Sequence, residues 1–180
     1  MYPIFRFAAE LLRVRRMPPC GLLDAHVSHH ICLPFDIDPW RELNNGRTLT
    51  LYDLGRVPFA LRCGLAAALR KSGWGMTVAG VSVRYRRRIR AFDRFTTVTR
   101  CLGWDARFIY LEQSMWRRGE CTNQMLLRSA ITDGKGIVAP ARLLEAMDHP
   151  TESPALPGWA AAWIAAETGR PWPPEAGRFL

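Results

Sequence analysis

Leucines at positions 51, 54, 61, 65 and 69 recur at intervals of 3, 7, 4 and 4 through "GRTLTLYDLGRVPFALRCGLAAALRK" (46–71). That spacing keeps them near one side of a 3.6-residue repeat and predicts a long, core-facing helix. Pro58 stands inside it, removing a backbone donor and crowding the preceding turn. The helix is therefore expected to kink there, or a second helix to begin with Pro58 in its first turn. Before it, "HVSHHICLPF" (26–35) alternates as a strand does. After "KSGWG" the texture changes. Residues 76–89, 94–104, 107–117 and 122–132 are rich in β-branched and aromatic side chains. The short links between them predict hairpins and an antiparallel meander.

The ends read differently. Residues 1–17, "MYPIFRFAAELLRVRRM", predict a helix with Ile4, Ala8, Leu11 and Leu12 on one face and arginines 6, 13, 15 and 16 among the rest. Such a helix either packs on its own domain or lies on a membrane surface. It is expected to be separable from the chemistry. Pro18 and Pro19 end it. A short helix follows the last strand at 140–147. Prolines at 150, 154, 157, 171, 173 and 174 mark a tail whose "GWAAAWIAAE" segment can pack Trp159 and Trp163 on the body. The chain thus divides into a basic amphipathic helix and linker (1–24), one central domain (25–148) and a Pro-rich tail (149–180). One sheet face needs cover, and the long helix is the large element available to supply it. The expected architecture is α+β, an antiparallel sheet wrapped around a central helix. Its free edges favour a homodimer or a dimer of dimers.

Composition changes the picture in one respect. With 180 residues, 48% hydrophobic, the chain suits a single soluble core, but 25 Lys plus Arg against 16 Asp plus Glu leave a net charge of +9. That excess asks for an anionic partner. No apolar run is long enough to span a bilayer, and the N-terminus lacks the pattern of a secretory signal. Cysteines 20, 32, 63, 101 and 121 have neither paired nor zinc-ligand spacing. They are expected to be reduced thiols, which fits a cytoplasmic location with peripheral membrane contact as an option. Histidines 26, 29, 30 and 149 form no metal set; His29 and His30 fall on opposite strand faces. No metal or redox cofactor is expected.

The densest chemistry lies in "FDIDPWRELNNGRTLTLYDLGR" (35–56). Asn44 and Asn45 are natural N-caps for the helix that follows. A helix N-terminus presents unpaired N–H groups and partial positive charge, which can hold an oxyanion. A carboxylate beside it can activate water or attack a carbonyl itself. A turn-capping role for Asp38, followed by Pro39, is the alternative. Gly46, lacking a side chain, allows a ligand to come close. Asp53 can pair with Arg56 three residues on. The run "RYRRRIR" (84–90) would place Arg84, Arg86, Arg88 and Arg90 on one strand face, either solvated or drawing in phosphates. No nucleic-acid-binding module pattern is present.

The sequence resembles the hotdog-fold thioesterases of the hydroxybenzoyl-CoA thioesterase type. Their D-x-D-x-x-x-H-x-N-N-x-R-Y motif is matched by Asp36, Asp38, Asn44, Asn45 and Arg47. "WGMTVAGVSVRYRRRIRAFDRF" and "GWDARFIYLEQ" are similar to the branch of thioesterase superfamily member six. The resemblance spans about 25–135. Glu42 replaces the motif His and Thr48 the motif Tyr. The resemblance implies hydrolysis of an acyl-CoA, or acyl-carrier, thioester to free acid and thiol, with coenzyme A entering only as part of the substrate. Asp38 would be base or nucleophile, with Asp36 and Asp53 as further catalytic candidates. Asn44, Asn45, Gly46, Arg47, Arg84, Arg86 and Arg88 would bind substrate. Two rivals stand beside it. An enoyl-thioester hydratase would need a His with an acid, and no His occupies the turn or the helix. A non-catalytic acyl-CoA- or lipid-binding module would keep the fold alone.

Overall fold

The computed structural model describes residues 2–175 and 177. Helix α1 (Ile4–Val14) leads through strand β1 (Ala25–Ile31) and a 3₁₀ turn (Pro34–Asp36) to α2 (Asn45–Arg62) and α3 (Leu65–Ser72). Strands β2 (Gly75–Tyr85), β3 (Arg94–Trp104), β4 (Phe108–Arg117), β5 (Glu120–Asp133) and the short β6 (Gly136–Val138) follow. Helices α4 (Pro140–Ala146) and α5 (Gly158–Thr168) close the order.

Pro58 does not interrupt α2. The helix continues through it, and the break falls at Gly64, whose φ of +82° suits glycine. Leu51, Tyr52, Leu54, Pro58 and Phe59 are buried against the concave face of the curled sheet. Gly55 permits the close approach: a Cβ there would come within 2.8 Å of Thr99 Oγ1. The buried Gln113 side chain donates to Tyr52 O (2.9 Å) and to Thr99 Oγ1 (2.8 Å), pinning the helix to the inner face.

The sheet order is β1-β3-β4-β5-β2, antiparallel throughout, with β6 also on β5. The expected four-strand meander holds for β3, β4 and β5 only. β2 ends at Tyr85, and residues 86–93 form a crossing rather than a hairpin, so β2 pairs with β5 at the far edge. The crossing is held by Arg86 and Arg87 N–H donating to Thr122 O and by Leu43 N–H donating to Ile89 O (2.8 Å). Ile89 drops into the core, 2% exposed. The predicted one-face alternation of Arg84, Arg86, Arg88 and Arg90 is thereby corrected. Arg84 lies in the strand, and the other three lie on the crossing, where strand periodicity no longer applies.

The N-terminal helix packs on the domain through buried Glu10 and Val14. Within the tail, α5 lies on the outer sheet face, with Ala160 fully buried beside Leu102, Tyr110 and Leu126. Trp163 packs there too, while Trp159 is left 46% exposed. His29 points outward to Thr96 and His30 inward to Ser28, as the alternation of β1 predicts. All five cysteines are free thiols. Among the described residues, no helix is long and apolar enough to cross a membrane.

Candidate active site

The two motif acids have different environments. Asp36 ends the 3₁₀ turn and is buried. Its Oδ1 accepts from Arg6 Nη2 (2.8 Å) and Arg47 Nε (2.6 Å); its Oδ2 accepts from Arg6 Nη1 (2.9 Å) and the Leu33 N–H (2.9 Å). Burial alone would raise its pKa, but the bonds from Arg6, Leu33 and Arg47 together hold it below the ordinary carboxylate value. With both oxygens doubly engaged, Asp36 serves as an anchor joining α1, the turn and the start of α2.

Asp38 heads a closed loop. Its N–H donates to Glu42 O (2.9 Å), its carbonyl accepts from Arg41 N–H (3.0 Å), and Ile37 bridges to Leu43. Arg41 takes the left-handed conformation, φ +62°. The carboxylate caps this loop through one oxygen: Oδ1 accepts from Trp40 N–H (2.9 Å) and, more weakly, Glu42 N–H (3.4 Å). Oδ2 has no donor among the described residues. The turn-capping and catalytic readings therefore coexist in one side chain. Asp38 borders an open hollow of about 1010 Å³ whose other walls include Phe35, Ile37, Asn44, Arg47 and, from α1, Ile4 and Phe5.

At the start of α2, Asn44 is the N-cap: its side-chain oxygen accepts from Arg47 N–H (3.0 Å). The N–H groups of Asn45 and Gly46 have no acceptor among the described residues, as first-turn amides do not. Thr48, in the place of the motif Tyr, is buried and turns its hydroxyl back to Asn44 O (3.1 Å). On the other side of this helix start lies a second hollow of about 220 Å³, bordered by Glu42, Asn45, Tyr85, Arg86, Arg87 and Arg88. Tyr85 donates to Asn45 O (3.2 Å), and Glu42, in the place of the motif His, pairs with Arg88 (2.7 Å). The first residues of α2 thus separate an apolar hollow containing Asp38 from a basic one.

Asp53 pairs with Arg56, as their spacing predicts, and accepts from Tyr2 Oη (3.3 Å). Burial first, then the Asp53 charge, pushes the Tyr2 phenol up to about 12. Asp53 borders neither hollow. Arg84 lies beyond the basic hollow, on the outer side of β2. Sequence reasoning missed Arg6, Phe35, Tyr85 and Asn123, the last also bordering the basic hollow, as site neighbours. Their partners are distant in sequence, and no spacing pattern announces them. It also treated α1 as separable, whereas Arg6 clasps Asp36 and the first residues of α1 wall the larger hollow.

The comparisons agree with this fold. The family model for the thioesterase-like superfamily matches residues 32–164. Protein THEM6 of Xenopus laevis is 32% identical over 162 residues, covering 88% of this chain and 77% of the relative. Among solved structures, the probable thioesterase YbaW of Escherichia coli superposes with a TM-score of 0.64 at 16% identity, over 71% of this chain and 99% of that one. A Thermus thermophilus thioesterase complexed with coenzyme A and Zn gives 0.59 at 20% identity, over 68% and 96%. Motif, central helix, wrapped sheet and family match converge: the chain belongs to the thioesterase-like superfamily with the hotdog fold, in its THEM6-related branch.

Proposed function

We propose that the protein hydrolyses acyl-CoA thioesters to free acid and coenzyme A. One observation carries the reading. Asp38, one of whose carboxylate oxygens has no donor among the described residues, borders an apolar hollow on one side of the start of α2, and Asn45, whose first-turn amide has no acceptor among them, borders a basic hollow on the other. The acyl chain would enter between Phe35, Ile37 and the start of α1, and the thiol portion would run toward Arg86. Asp38 takes a proton from water as the water oxygen attacks the thioester carbon. The Asn45 and Gly46 amides hold the oxyanion. Collapse breaks the C–S bond, and the proton returns to the departing thiolate. Thermus thermophilus thioesterase, complexed with coenzyme A, is a fold-level precedent for such a ligand.

Thiol release across acyl-CoAs of increasing chain length tests this reading. Turnover that disappears in Asp38→Asn supports it; no thiol release from any ester overturns it. The Glu42–Arg88 pair, standing where a motif His would, is the feature that favours a non-catalytic acyl-CoA-binding module. Binding without turnover would select that reading.

The open outer edge of β2 supports a homodimer joined edge to edge. Light scattering giving a 20.5 kDa monomer would reject it. Exposed Phe5 and Trp40, with exposed Arg15 and Arg16 just after α1, support peripheral contact with an anionic membrane. Sedimentation with anionic vesicles tests that. Five free thiols support a reducing, cytoplasmic setting.

A further inference from the structure

The basic hollow beside Asn45 continues past Arg86. Arg86, Arg87 and Asn123 also border a neighbouring hollow of about 300 Å³. Arg84 and Gln124 lead from that one into a third, about 370 Å³, against α5, where Trp159 and Trp163 form a wall. The first and second hollows share residues, as do the second and third, and the path turns around the end of β2. Tyr85 faces inward, its hydroxyl on Asn45 O (3.2 Å), while the next residue back, Arg84, pairs in register with Gln124 on the outer side.

Charge along this path is unevenly used. Arg87 is bound to Glu120 (2.6 Å) and Arg88 to Glu42 (2.7 Å). Arg84 and Arg86 have no carboxylate partner among the described residues, although both border the path. At its end α5 is anchored by buried Ala160, while the adjacent Trp159 keeps nearly half its surface open. Trp163 already stacks beneath the Arg128 guanidinium (5.6 Å). Four residues of strand, roughly 13 Å at about 3.3 Å each, separate Ser82 beside the tryptophans from Arg86. A nucleoside diphosphate can bridge that span.

We infer that Trp159 and Trp163 form a base-stacking shelf, with Arg84 and Arg86 on the phosphates, so that the thioester donor is a nucleotide-bearing thiol, coenzyme A, rather than a carrier protein. The inference rests on the hydrolysis reading only for the word donor; nucleotide binding stands apart from it. An indole half in solvent beside guanidiniums that have no carboxylate partner among the described residues suits a base with a phosphate tail, because stacking is indifferent to base identity while Arg forks take the phosphate oxygens.

The test combines binding and kinetics on the full chain. Adenosine 3′,5′-bisphosphate should quench tryptophan fluorescence saturably. Trp159→Ala and Arg84→Ala should each weaken that binding by about tenfold or more, with Trp159→Phe restoring most of the loss. The KM for an acyl-CoA should rise by about the same factor in Trp159→Ala, while the KM for the matching acyl-pantetheine, which lacks the nucleotide, should not move. The shelf is overturned if the bisphosphate does not bind, if wild-type KM values for the two esters agree, or if acyl-carrier protein or a short RNA binds in its place. Bisphosphate binding lost in Trp159→Ala, with no thioester turned over, would uphold the shelf and overturn the hydrolysis reading alone.

Discussion

Arg6 and Asp36 form a two-pronged ion pair, 2.8 and 2.9 Å, that ties the N-terminal helix to the turn preceding the central helix. Asp36 is buried, so this contact sets the position of the candidate site as well as its stability.

Removing Arg6 should therefore be costly. Arg6→Ala leaves Asp36 with Arg47 and the Leu33 N–H but strips half its hydrogen bonds, and breaking a buried pair typically costs about 3–5 kcal/mol. The partial exposure of Arg6 places the expected loss near the lower end, about 3 kcal/mol. Urea unfolding measures it. Deleting residues 1–17 should both destabilise the domain and lower turnover, since α1 walls the larger hollow. Unchanged stability in Arg6→Ala would mean the pair contributes little.

Asp38→Asn is expected to keep the fold and lose activity. The amide oxygen can still accept from Trp40 N–H, so the loop persists, while the proton-accepting oxygen is gone. Positioned proton transfer is worth about 10²–10⁴-fold, and kcat should drop by that range. Asp53→Asn, paired with Arg56 away from the hollow, should cost far less. Asp36→Asn should instead lower stability. Near wild-type kcat in Asp38→Asn would sink the assignment.

Salt should raise KM for acyl-CoA with little change in kcat. Arg84 and Arg86 would attract phosphates over distances that added salt screens, the Debye length shrinking from ~30 Å at 0.01 M to ~10 Å at 0.1 M. A salt-independent KM would mean these arginines only face solvent.

Acid should weaken the fold through His26 and His30. Burial, followed by Arg62 for His26 and by Arg6 and Arg13 for His30, holds both at about 4, below the ordinary 6.5. For a base, a depressed folded pKa means the unfolded chain takes protons first as pH falls. Their contribution is intact above pH 6.5 and declines down to about 4, by up to roughly 1.4 kcal/mol per pH unit for each ring. Glu10, raised by burial, works in the opposite sense. The urea midpoint should fall between about pH 7.5 and 5, and His30→Gln should flatten the slope. A flat profile in the wild type would count against buried neutral rings.

Gly55→Ala should destabilise the protein by about 1–3 kcal/mol, because the added methyl meets Thr99 Oγ1 at 2.8 Å in a close-packed seam. Thermal unfolding reads this. A neutral result would show that the sheet and α2 separate easily.

Much of the fold was legible along the chain because it is encoded locally. The 3.6-residue recurrence through Leu51 and Leu54 marks α2, β-branched runs mark β3, β4 and β5, and paired asparagines mark the helix start. The clustering of the candidate site residues was legible for the same reason, since Asp38, Asn44 and Asn45 lie within one short stretch. The division of labour between the two acids was not. Asp36 and Asp38 look alike in sequence, and only Arg6, 30 residues away, and Arg47 make one an anchor. The meander misread β2 because Tyr85 and Arg86 differ in sequence by nothing that signals a strand end; Ile89 entering the core and β5 offering a free edge decide it. Short-range patterns follow from backbone geometry and repeat every few residues. Charge pairing, edge choice and the joining of hollows across β2 depend on which distant surfaces the packed core brings together, so only the tertiary structure decides them.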